Sequence, residues 1–149
     1  MTLYVVIGPP TGGKSTWVLQ QAGPLDVVID YDRLAVALSG RRDDDHQHGP
    51  EVKATTKAAR LAAIDAATAH ADRVDVYLIH SNPGRARLAQ YARQGAHIIT
   101  IDPGRDVVLD RVRRQRPARM FAVVDEWYRD RATTGTAAPP ARAKASRPW

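Results

Sequence analysis

The chain has 149 residues, 44% of them hydrophobic, which suits one domain with one modest core. It has no cysteine, which excludes a disulfide framework, a thiolate zinc site and a cysteine nucleophile and suits a reducing cytoplasm. The net charge of +6 is unevenly spread, with eight Lys and Arg against ten Asp and Glu in residues 1–84 and fourteen against six in residues 85–149.

All fourteen of those later bases except Lys144 are arginine, the side chain best shaped for bidentate phosphate contacts. Such a half points to a phosphate-bearing partner, against the plainer reading of a solvated basic surface. No run approaches about 18 apolar residues, so no membrane span is expected. The first apolar run, Leu3–Ile7, meets Gly8 with no basic flank, and it reads as a strand rather than a signal peptide.

Directly after that strand comes Gly8-Pro9-Pro10-Thr11-Gly12-Gly13-Lys14-Ser15, with Thr16 next, which fits G-x-x-x-x-G-K-[ST] at every fixed position. A helical run, Lys14–Gln21, follows. The order strand, loop, helix is what phosphate binding needs. Glycines let backbone N–H groups crowd around phosphates at the positive end of a helix. Lys14 would reach the β- and γ-phosphates of ATP, and Ser15 would offer its hydroxyl to Mg²⁺.

Further along, Val27–Ile29, Val74–Ile79 and Ile98–Ile101 are short, nearly continuous apolar runs, as expected of parallel strands buried on both faces. Helical patterns separate them: Tyr31–Leu38, the alanine-rich Val52–Ala71, and a helix with Asn82 as N-cap and Pro83 at its first position, running to Arg93. An arginine-dense helix over Arg105–Arg116 stops at Pro117. A last helix spans Ala118–Arg131, with Met120, Val123, Val124 and Trp127 as its core stripe. The expected fold is α/β, a P-loop NTPase three-layer sandwich with a four- to five-stranded parallel sheet and a basic helical lid. It occupies residues 1–131. Residues 132–149 hold too little apolar surface to order themselves and read as a basic tail.

Ligands of open parallel sheets bind beyond the carboxyl ends of the strands, which here end in the loop, in Asp30-Tyr31-Asp32-Arg33, in His80-Ser81-Asn82 and in Asp102. Asp30 is placed to orient an attacking hydroxyl and take its proton, or simply to cap the next helix. Asp32 is a second candidate for that role or for a Mg²⁺-bound water. Arg33, one turn on, would hold an acceptor phosphate. In the basic helix, Arg114 and then Arg111 are the best candidates to close on the transferring phosphate, while Arg113, Arg116 and Arg119 complete the cluster. Asp43-Asp44-Asp45-His46-Gln47-His48 has metal-ligand residue types but the spacing of a solvated loop.

GPPTGGKSTW at Gly8–Trp17 with Asp30-x-x-Arg33 downstream resembles the kinase domain of the polynucleotide 5′-kinase family, part of a wider group of P-loop kinases that includes zeta toxins. The resemblance implies that Lys14 and Ser15 bind ATP and Mg²⁺, that Asp30 is the general base and that Arg33 contacts the acceptor. It implies a polynucleotide 5′-hydroxyl, at a DNA or RNA end, as acceptor. A small-molecule or nucleotide kinase of the same fold is the first alternative, and an NTP-hydrolysing module of a nucleic-acid machine the second. One departure stands out. The family carries an acidic residue at the end of strand three, where this chain has His80.

Overall fold

The computed structural model describes residues 2–40 and 48–132. Four strands, β1 (Leu3–Ile7), β2 (Val27–Ile29), β3 (Val76–His80) and β4 (His97–Thr100), pair in parallel in the order β2-β3-β1-β4. Six helices accompany them: α1 (Lys14–Gln21), α2 (Tyr31–Leu38), α3 (Pro50–Thr68), α4 (Arg85–Arg93), α5 (Arg105–Gln115) and α6 (Met120–Ala132). The expected α/β class and parallel sheet hold, with four strands among the described residues.

The two-residue period of the strands sorts their side chains between two layers. Leu3, Val5 and Ile7 of β1 join Val76 and Leu78 of β3 under α3 and α4, where Ala63, Ile64, Ala67, Leu88 and Tyr91 cover them. Val6, Tyr77 and Ile79 face the other way and pack on Val18 and Trp17 of α1. The two central strands are therefore apolar on both faces, which explains their unbroken hydrophobic runs. The edge strand β4 is different: His97 and Ile98 are exposed, so the expectation of burial on both faces fails there.

Boundaries shift where side chains have other work. β3 starts at Val76 rather than Val74, because Asp75 accepts from Thr2 N–H at 2.8 Å and its own N–H donates to Asp26 at 3.1 Å. α3 begins at Pro50, whose missing N–H suits the first turn, and ends at Thr68 rather than Ala71. α4 begins at Arg85 behind Gly84, not at an Asn82 cap. Asn82 instead donates to Asp130 of α6 at 3.0 Å, which holds the chain irregular through Pro83. α5 stops because Pro117 forces Arg116 into an extended conformation (φ −135°, ψ 154°).

α5 and α6 form a hairpin with its own small core of Val108, Val112 and Val124. Trp127 of α6 is buried and donates through its indole N–H to Ser81 O at 3.2 Å, and Tyr128 donates to Asp102 at 2.6 Å. These bonds clip α6 onto the ends of β3 and β4. Core packing is thus the role of Trp127. Val123, expected in the core stripe, is exposed and lines the cleft described below. Among the described residues no helix is long and apolar enough to cross a membrane. The tail from Thr133 onward and the stretch Asp43–Gln47 lie outside the described residues.

Candidate active site

A cleft of about 890 Å³ opens at the carboxyl edge of the sheet. Its floor is the β1–α1 loop, its walls are the ends of β2 and β3, and the α5–α6 hairpin stands over it. The order of the strands explains the place. β1 sends its chain to β2 on one side while β3 sends its chain to β4 on the other, so the loops diverge and leave a crevice.

The loop is tightly wound. Gly13 sits at φ 93° and Thr11 at φ 57°, and Gly12 N–H donates to Pro9 O at 3.1 Å. A Cβ at Gly8 would collide with the carbonyl oxygen of Ile101, so the first glycine is required by the close passage of the chain beyond β4. Trp17 N–H is the first to find its partner in α1, donating to Gly13 O at 2.9 Å. The N–H groups of Lys14, Ser15 and Thr16 precede it and have no acceptor four residues back. They stand at the positive end of the helix dipole.

Lys14 is buried, and its Nζ donates to Gly8 O at 2.9 Å and Pro9 O at 2.7 Å. Burial pushes its ammonium down to about 8, with Asp32 and Asp30 opposing the shift and Arg116 adding to it. Ser15 donates through Oγ to Asp30 Oδ2 at 2.6 Å. The other oxygen of Asp30 accepts the N–H of Asp32 at 3.1 Å, which makes Asp30 the N-cap of α2. Capping and a place in the site coincide in this one carboxylate. Asp32 is exposed on the cleft wall, 3.5 Å from Arg116.

The arginines divide. Arg111 is half-buried and donates from Nη1 to Thr11 O at 3.0 Å, while Thr11 Oγ1 returns a bond to Val108 O at 3.3 Å, so α5 is fastened to the tip of the loop. Arg114 points away. It is exposed, paired with Asp110 at 3.0 Å, and not among the cleft residues. The expectation that ranked Arg114 above Arg111 is reversed, because α5 turns the Val108 and Val112 face inward and carries Arg111 to its edge. Arg116 and Arg119 also line the cleft. Arg33 is exposed on α2 and outside the cleft lining, so α2 does not present it to the crevice that holds Asp30 and Asp32.

His80 lines the far end of the cleft and meets Tyr91 edge-on, ring centroids 6.4 Å apart. Burial, with the guanidinium groups of Arg60 and Arg87 nearby, pushes its imidazole down to about 4, so it is neutral at ordinary pH. Arg60 itself was not foreseen. It lines the cleft from α3, and one of its amino groups donates to Ile79 O at 2.9 Å. The signal was present in the sequence, since Thr56, Arg60, Ala63, Ile64 and Ala67 recur at helical spacing and put an arginine on the stripe that faces the sheet.

Ser15 Oγ and the Asp30 carboxylate bring oxygen donors of the kind Mg²⁺ prefers together, and no cluster of three or more acidic or histidine ligands occurs among the described residues. That set fits an ion shared with a phosphate ligand rather than one caged by protein.

No family model matches the sequence, and no curated protein matches it. Among solved structures the chain is similar to the tunicamycin resistance protein of Deinococcus radiodurans, at 22% sequence identity and a TM-score of 0.48, over 87% of this chain and 80% of that one.

Proposed function

We propose that the chain is an ATP-dependent phosphotransferase that moves the γ-phosphoryl group to an acceptor hydroxyl. The observation that carries the reading is the state of Lys14. A buried ammonium rests on two carbonyls of its own loop, beside a Ser15–Asp30 pair, where a parallel sheet opens its crevice. A cation with a lowered pKa and replaceable partners gains when an anion takes their place.

In this reading the N–H groups of Lys14, Ser15 and Thr16 hold the phosphates and Lys14 swings from the loop carbonyls onto the β- and γ-oxygens. Ser15 and Asp30 would hold Mg²⁺, which supplies charge neutralisation on the phosphates. With Asp30 assigned beside Ser15 to the ion, the proton-accepting role falls to Asp32, which stands in the cleft paired with Arg116. The acceptor oxygen attacks the γ-phosphorus, its proton passes to the Asp32 carboxylate, and the bond to the bridging oxygen breaks to leave ADP. Arg111, and Arg116 once drawn off Asp32, supply positive charge to the equatorial oxygens.

A small acceptor is favoured over a polynucleotide 5′-hydroxyl. What supports it is that Arg33, the residue meant to grip a nucleic-acid phosphate, lies outside the cleft while Arg60 lies inside it. The test offers γ-labelled Mg-ATP to a 5′-hydroxyl oligonucleotide, with Lys14→Ala and Asp32→Ala as controls. Nucleotide binding lost in Lys14→Ala, with no label on the oligonucleotide, is expected. Label on the oligonucleotide would restore the polynucleotide acceptor, and failure to bind nucleotide at all would sink the phosphotransferase reading.

A further inference from the structure

We propose that the acceptor carries an oxyanion, a carboxylate or a phosphate, besides its reacting hydroxyl, and that Arg60 seats this anion at the step where β2 stops short of β3. The identity of this anion's bearer as the acceptor rests on the phosphotransferase reading. The anion site itself rests on α3 and β3 alone.

An arginine on a stripe that otherwise reads Thr56, Ala63, Ile64 and Ala67 needs a reason to face a sheet. Part of the reason is the step. β2 ends at Ile29, opposite Leu78, while β3 continues to His80. The carbonyl of Asp75 accepts from Val27 N–H, so alternate carbonyls from there along β3 turn toward β2. Ile79 O is on that side, with no β2 residue left to meet it, and Arg60 Nη2 takes the place of the missing strand at 2.9 Å.

That contact uses one donor of five. Arg60 Nε is buried with no hydrogen-bond partner among the described residues, and none of the described ion pairs includes this arginine. The nearby carboxylate, Asp30, is committed to Ser15 and to the N–H of Asp32. A cleft-lining guanidinium with a buried, unmet Nε–H and one amino group on Ile79 O has donors left for an acceptor with two oxygens in a plane, which carboxylates and phosphates provide. His80 completes the case. A carboxylate at the end of β3 would pair with Arg60 and repel an anion, whereas the imidazole found there is uncharged. The uncharged His80 and the unmet Nε–H of Arg60 thus have one explanation.

The experiment follows the Arg60 Nε–H resonance by NMR, identified by its loss in Arg60→Lys. Protein saturated with Mg²⁺ and a non-hydrolysable ATP analogue is titrated with acetate, with methyl phosphate and with chloride at matched ionic strength. The expected result is a saturable shift with one of the two oxyanions, whose identity tells carboxylate from phosphate, and none with chloride. Arg60→Lys keeps a cation for Ile79 O but has no planar fork, so, followed through the backbone amide shifts of Ile79 and His80 in both proteins, it should bind that anion at least about tenfold more weakly. A resonance unmoved by both oxyanions, or one that follows ionic strength alone, overturns the proposal, and so does undiminished binding in a folded Arg60→Lys. Should that variant not fold, Arg60→Gln identifies the resonance and the wild-type titration decides. Failure of the wild type to bind the ATP analogue would condemn only the phosphotransferase reading, because the same titration without nucleotide, or on Lys14→Ala, still reports on Arg60.

Discussion

Lys14 makes a quantitative prediction about stability and pH. Its ammonium is pushed from an ordinary value of 10.5 down to about 8 by burial. The unfolded chain therefore holds a proton on Lys14 between those values while the native protein has released it. Where the unfolded state binds more protons, stability rises with pH, so Lys14 destabilises the free protein below pH 8 and ceases to do so as pH climbs toward 10.5. Integrated from pH 7 to pH 10, the two pKa values give a gain of roughly 2–3 kcal/mol. Lys14→Met removes the titration and keeps most of the side-chain volume. Its absolute stability mixes relief of the buried charge with loss of the bonds to Gly8 O and Pro9 O, but its slope against pH does not. Urea melts of both proteins at each pH unit give the difference directly, since every other titrating group cancels in the subtraction. Wild type should gain on Lys14→Met by about 2 kcal/mol or more across that range. Parallel curves would refute the reasoning, for they would mean that Lys14 is hydrated and not held on its own loop.

Arg111→Ala should lower phosphoryl transfer, or ATP turnover without acceptor, by about tenfold or more, while Arg114→Ala, whose side chain pairs outward with Asp110, should leave it within about twofold; equal losses would place both on the reacting phosphate. Gly8→Ala should destabilise by more than ~3 kcal/mol in a denaturant melt, because the added carbon meets the Ile101 carbonyl and neither backbone can yield cheaply. Trp127→Phe loses the bond to Ser81 O and should cost about 1–3 kcal/mol, with amide exchange rising first in α6; exchange unchanged in α6 would show that the hairpin is held by other contacts.

Much of this molecule can be read from its order of residues. Strands β1 and β2 and helices α1 and α2 match their expected bounds, because a continuous apolar run that ends at a glycine or a helix-capping aspartate leaves the backbone little choice. Lys14, Ser15 and Asp30 line the cleft for a related reason: Asp30 directly follows β2, and Lys14 and Ser15 open α1 at the end of the loop that leaves β1, so local chain geometry carries them to the carboxyl edge of the sheet.

The arginines obeyed no such rule. Arg33 and Arg114 had the right type and spacing, yet one faces solvent from α2 and the other pairs along α5, since a helix spreads its side chains round the whole circumference and only packing selects the inner face. Packing chose Val108 and Val112 for that face, which brought Arg111 to the loop, and it set Ala63, Ile64 and Ala67 against the sheet, which brought Arg60 to Ile79 O. Asn82 likewise went to Asp130, some fifty residues away, instead of capping its own helix. Short-range chemistry dictates the strands, the loop and the capping carboxylate because each is stabilised by its immediate neighbours. Which cations reach the cleft depends on how helices distant in the chain bury their apolar stripes against a shared sheet, and that is settled only when the sheet has assembled.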